Sequence, residues 1–153
     1  MIHLVLSGMA LASAAGAAPV DAAPIHRATV QHQSVSVDAS YQLGWKTSTR
    51  QVAATPAGRQ GMGQCHWRAD AIVTRAVKGA DNAPIAALSK PIHQFETVSG
   101  VETGNCAAAA PRIEASLARR ARAMEAEAAT AARSDHPALA AELQGLSALA
   151  PRS

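Results

Sequence analysis

Cys65-His66-Trp67-Arg68-Ala69-Asp70-Ala71-Ile72-Val73-Thr74 sets the frame for the whole chain. Side chains of an extended backbone alternate between two faces, so Cys65, Trp67, Ala69, Ala71 and Val73 share one side while His66, Arg68, Asp70 and Thr74 share the other. That is an inward row and a wet row. Ile72 interrupts the wet row, and a single exposed aliphatic residue needs no special account.

Upstream, Ala28 to Val37 also reads as extended, with Val35 and Val37 alternating against Ser34, Ser36 and Asp38. Val30 has the wrong parity, which calls for a bulge near His32 to Ser34 or places Val30 outside the strand. Tyr41, Leu43 and Trp45 continue at period two, and Thr47, Thr49 and Gln51 carry the same face on to Val52. The glycines and Pro56 of residues 54–63 mark a loop. Lys78 to Pro84 holds Gly79, Asp81 and Asn82 and reads as a turn, and Pro91 confines any strand between Ile85 and Val98 to a sheet edge or to Ile92–Val98.

After Gly104 the period changes. Ile113, Leu117, Ala121, Met124 and Ala128 recur at helical spacing, with Arg112, Glu114, Arg119, Arg120, Arg122, Glu125 and Glu127 filling the other sides. Asn105 can cap a start at Cys106, or Pro111 can be the first helical residue. Ser134-Asp135-His136-Pro137 is a second capping signal, followed by the stripe Leu139, Leu143 and Leu146. The fold expected is α+β: a small antiparallel β-rich body of about four strands over residues 28–98, then a C-terminal helical hairpin over 106–150, in one domain spanning 19–153.

The N-terminal segment is read as a removable leader over residues 1–18. Leu4, Val5, Leu6, Met9, Ala10 and Leu11 form a short apolar core before Ala12-Ser13-Ala14 and Ala15-Gly16-Ala17, small-x-small patterns that leave Ala15 or Ala18 as the new start. The stretch gives way to Ser, Gly and Pro before the ~20 residues a spanning helix needs, so no transmembrane anchor is expected in the mature form. Export implies an oxidising compartment, periplasmic or secreted, in which Cys65 and Cys106 are expected as a disulfide clasping the inward strand row to the helix entrance. The competing reading makes Cys106 a reactive thiol activated by the helix N-terminus.

Composition narrows the function classes. The 153 residues carry net charge +3 and only 3% aromatic side chains, so the core is built from Val, Leu, Ile and Ala. A charge this small and dispersed, with few aromatics to stack bases, argues against a nucleic-acid partner.

No motif specifies a reaction. His26, His32, His66 and His93 form at most isolated doublets, His26 with His32 or His93 with Glu96, so neither metal nor cofactor is expected. Cys65-His66-Trp67 lacks the second cysteine of a haem attachment site. Gly58-Arg59-Gln60-Gly61-Met62-Gly63 lacks the Gly-Lys-Ser/Thr ending of a phosphate loop and leads into a strand. Lys46-Thr47-Ser48 has neither Ser-x-x-Lys nor Gly-x-Ser-x-Gly for company. Asp38, Asp70, Asp81, Glu96 and Glu102 offer no obvious acid/base pair.

Arg119, Arg120 and Arg122 make the one charge cluster, a candidate surface for an anionic partner such as an envelope component. The expectation that follows is a small exported protein of a bacterial envelope with a non-enzymatic interaction or structural role. The alternative is a small exported hydrolase using His66 or His93 as a base.

Overall fold

Two long strands form the spine of the molecule: β2, Val35–Val52, and β3, Gln64–Lys78, pair antiparallel over the whole of β3, from Asp38 opposite Lys78 to Val52 opposite Gln64. The computed structural model describes residues 23–32, 35–52 and 63–149. β1, His26–His32, flanks β2. On the far side, β4, Lys90–Gln94, and β5, Val98–Thr103, share the edge of β3, one beside Ile72–Arg75 and the other beside Gln64–Ala69. The result is a curled antiparallel sheet of five strands followed by a helical C-terminus, an α+β fold.

The parity problem at Val30 is resolved by a chain reversal. Residues expected to form one strand over 28–37 belong to two, and Val30 lies opposite Val37 on the same face. Among the described residues the β1–β2 register runs unbroken from His26 opposite Tyr41 to His32 opposite Val35. The sheet also outruns the expected 28–98 span at both ends, from His26 to Thr103. Pro91 does sit in an edge strand, opposite Thr74, where its missing N–H costs no ladder bond to a further strand. The leader assigned to residues 1–18 and most of the loop assigned to 54–63 lie outside the described residues.

α1, Cys106–Ser134, starts at the Asn105 cap, whose side chain accepts from the Ala108 N–H at 2.7 Å. Pro111 is therefore inside the helix, at its sixth residue, and not at its start. The helix is about 43 Å long and lays Ala109, Ile113, Leu117, Ala128 and Ala132 on the inward face of the sheet. α2, His136–Leu149, follows after the single residue Asp135, so the expected hairpin takes the form of one bent helix. Pro137 causes the bend: it has no N–H for the Arg133 carbonyl, and its ring would collide with that oxygen in a continuous helix. The Asp135 N–H turns back to Ala132 and Arg133 instead.

The core has two centres. One joins Val37, Ala39, Tyr41, Val73 and Val77 of the sheet to Ala128, Ala132, Leu139 and Leu143 of the helices, with Leu88 from a 3-10 turn at Ala86–Leu88. The other joins Cys65, Trp67 and Ala69 to Ala109, Ile113 and Leu117. Within the second centre Cys65 and Cys106 are bonded, with Cα atoms 4.8 Å apart. The disulfide thus ties the first turn of α1 to the inward row of β3, as the sequence predicts. The Trp67 indole lies across Gly100 of β5, where a Cβ would stand 2.7 Å from ring carbons, so only glycine fits beneath it.

Candidate functional site

The inward row of β3 contains one charged residue. Arg75 stands between Val73 and Val77, and its side chain is 0% exposed. A buried guanidinium is tolerable only when its charge and its N–H groups are matched. Three elements supply the partners. Nε donates to the Leu88 carbonyl at 2.8 Å, Nη1 to Asp135 Oδ2 at 2.7 Å, and Nη2 to Glu142 Oε2 at 2.5 Å.

The cluster extends outward from there. Tyr41 of β2 donates its hydroxyl to the same Asp135 oxygen at 3.1 Å, and Lys90 Nζ donates to Glu142 Oε1 at 2.6 Å. Two cations thus face two carboxylates, and the group is neutral as a whole. Burial alone would lower the Arg75 pKa, but hydrogen bonds and charge from Asp135 and Glu142 outweigh it and raise it. Burial likewise pushes the Glu142 carboxyl up, yet Lys90 and Arg75 hold it below the ordinary value. The Tyr41 phenol is shifted upward by burial and by the Asp135 carboxylate.

Beside Tyr41, His26 of β1 and His136 at the start of α2 stack with ring centroids 5.0 Å apart and Nε2 atoms 3.0 Å apart. One nitrogen must donate and the other accept, so the accepting ring carries its proton on Nδ1. Burial, then the charges of His136 and Arg133, lower the His26 pKa. Among the described residues no group of three or more His, Cys, Asp or Glu is placed to hold a metal ion.

What this arrangement does chemically is fasten. Arg75 is closed to solvent, and its bonds run from the middle of the sheet to the helix bend, to Glu142 of α2 and to the segment leading into β4. An open depression of ≈250 Å³ beside Leu88, Lys90, Glu142, Gly145 and Leu146 reaches only its outer rim.

The residues singled out in the sequence lie elsewhere. His66 is half-buried on the outward side of β3, opposite Val101. His93 is exposed on β4 and stands edge-on to Phe95 at 4.5 Å. The structure brings neither of them to a carboxylate or hydroxyl among the described residues. Arg119, Arg120 and Arg122 are all exposed on α1, where Arg119 and Arg122 are i,i+3 neighbours and Arg120 is turned about 100° from Arg119. Asp135, read as a cap, spends its carboxylate on Arg75 and Tyr41 instead.

Sequence reasoning missed Arg75, Glu142 and His136. The available signal was parity, because the inward row of Cys65 to Val73 continues through Arg75 to Val77. Comparison with family models, with curated proteins and with solved structures finds no match to this chain.

Proposed function

We propose that this chain is an exported, non-enzymatic interaction or structural protein of the cell envelope, working in the periplasm or outside the cell. The observation that carries the reading is the Cys65–Cys106 disulfide. Such a bond persists in oxidising compartments, and here it joins the two layers of the fold, as suits a small domain held together outside the cytosol. Two further features support it. No helix among the described residues is long and apolar enough to cross a membrane. The densest set of ionisable groups is also consumed in holding the helix bend to the sheet, with Arg75 closed to solvent at its centre.

The test is the intact mass of the protein recovered from its native cell, together with the compartment that yields it. Loss of the leader, with a start at Ala15 or Ala18, and a mass two hydrogens below the dithiol form are expected from an extracytoplasmic fraction. A cytosolic protein retaining Met1 and two free thiols overturns the reading.

A further inference from the structure

We infer that the helix-free face of the sheet is a docking surface for a linear acidic polysaccharide. The inference rests on the exported reading above for the setting of the partner, and on the charge of the face for its chemistry. Both helices pack on one side of the sheet, and among the described residues nothing covers the other. Antiparallel sheets commonly keep one solvated face, so exposure alone means little. The distribution of charge means more.

Outward strand positions carry Arg27, Lys46, Arg50, Arg68 and Lys78 against Asp38 and Asp70, a surplus of three that equals the net charge of the whole chain, +3. Over the other described residues seven Lys and Arg meet eight Asp and Glu, so among the described residues the positive surplus lies on this face. Both outward carboxylates are engaged by hydroxyls: Thr29 donates to Asp38 at 2.7 Å and Thr97 to Asp70 at 2.5 Å. Arg68 reaches Thr97 at 3.2 Å and only approaches Asp70, at 3.9 Å. Arg27, Lys46, Arg50 and Lys78 have no ion pair among the described residues. The rim carboxylates Asp81 and Glu96 stand in the connections before and after β4, and Asp81 is held by the Ala83 N–H.

The cations form two stations. Lys46 and Arg50 flank Ser48, which lies opposite Arg68, and Arg50 lies opposite His66. Arg68 therefore stands about 7–8 Å diagonally from Lys46 and from Arg50, which are about 14 Å apart along β2. Arg27 and Lys78 border a groove of ≈490 Å³ at the other end, shared with Thr29, Asp38, Ser40 and Asn82. From Asp38 to Arg50 the face runs about 40 Å, too far for one compact anion and suited to a chain of several charged units. Between the stations lies Thr74, an exposed hydroxyl of the kind that matches sugar hydroxyls.

Other polyanions fit less well. Among the described residues the face presents no outward Phe, Tyr or Trp on which bases would stack, only the half-buried His66, which disfavours single-stranded nucleic acid. Its apolar members Val52, Ile72, Ala76 and Val101 are scattered, which disfavours insertion into a lipid surface.

The full chain with its disulfide intact is titrated with polygalacturonate, heparin, neutral dextran, single-stranded DNA and anionic vesicles over a range of salt. The two acidic glycans are expected to bind in a salt-dependent way, dextran not at all. The K46E/R50E/R68E variant should bind them about tenfold or more weakly, K46Q/R50Q/R68Q should be intermediate, and R119E/R120E/R122E should match the unaltered protein. Circular dichroism checks that each variant is folded; the Gln variant keeps the comparison decisive if charge reversal unfolds the sheet. Unchanged binding by the folded sheet-face variants, no glycan binding, or tighter binding to DNA or vesicles overturns the inference. Export is judged separately by mass and compartment, so the two readings fail independently.

Discussion

Arg75 Nη1 and Asp135 Oδ2 lie 2.7 Å apart, joining the centre of the sheet to the residue at which the C-terminal helix bends. The same guanidinium holds Glu142 one helical stretch later, so a single side chain anchors to the sheet both the bend that Pro137 makes and the middle of α2. Replacing Arg75 by leucine leaves Asp135 and part of Glu142 as carboxylates without their buried counter-charge. Removal of one partner from such a pair costs about 3–5 kcal/mol. Arg75→Leu is expected to lower the urea midpoint by that equivalent, and Arg75→Lys to recover only part of it, because an ammonium cannot reach Leu88, Asp135 and Glu142 in one planar fork. Equal stability of the Leu variant in urea melts would show that the cluster is not a fastener.

Arg75 also marks where sequence reasoning stops. Periodicity reports whether a residue is on the inward or outward row, but a charge in the inward row breaks the pattern that identifies the row. Its partners Asp135 and Glu142 are 60 and 67 residues away and announce themselves in no local spacing. The strand from Cys65 to Val73, the long helix and the disulfide were legible because each is specified locally or by elimination. The Val30–Val37 pairing was not, because alternating parity cannot tell a bulge from a reversal of the chain. Pro137 was visible as part of a capping signal, yet its larger effect is to bend one helix instead of separating two.

The Cys65–Cys106 bond closes a loop of 41 residues, which in the chain-entropy account corresponds to about 4 kcal/mol. Denaturation with and without a reductant, on the same protein at the same pH, is expected to differ by a shift of that order. The loss should be shared by a C65S/C106S variant. A reduced protein as stable as the oxidised one would mean that the packing of Ile113 and Leu117 on Trp67 holds the helix entrance unaided.

Gly100 is constrained by the indole above it. A Cβ at that position would meet Trp67 Cε2 at 2.7 Å, so Gly100→Val forces the ring or strand β5 to move. Overpacking of this kind costs about 1–3 kcal/mol. The measurement is a thermal melt followed by tryptophan fluorescence, and the expected result is a lower midpoint with an altered native emission. Gly44, where an added Cβ meets nothing within 4 Å, serves as the matched control.

Acid should loosen the region around the helix bend before it affects the rest. The His26 pKa is lowered in the folded chain from 6.5 by burial and by the charges of His136 and Arg133, so below that pH the unfolded chain binds more protons than the native one. Stability is therefore full above pH 6.5 and falls as the pH drops through the interval between the unfolded and folded values. Two charged rings would leave the 3.0 Å Nε2 contact beside Tyr41 with two donors and no acceptor. The Glu142 carboxyl, held below 4.5 against burial by Lys90 and Arg75, adds a second loss in the same direction at lower pH. His26→Gln is expected to flatten the first part of the stability curve and leave the second. Urea midpoints measured from pH 7.5 down to pH 4 distinguish the two, and an unchanged slope near pH 6 in the Gln variant would remove His26 from the account.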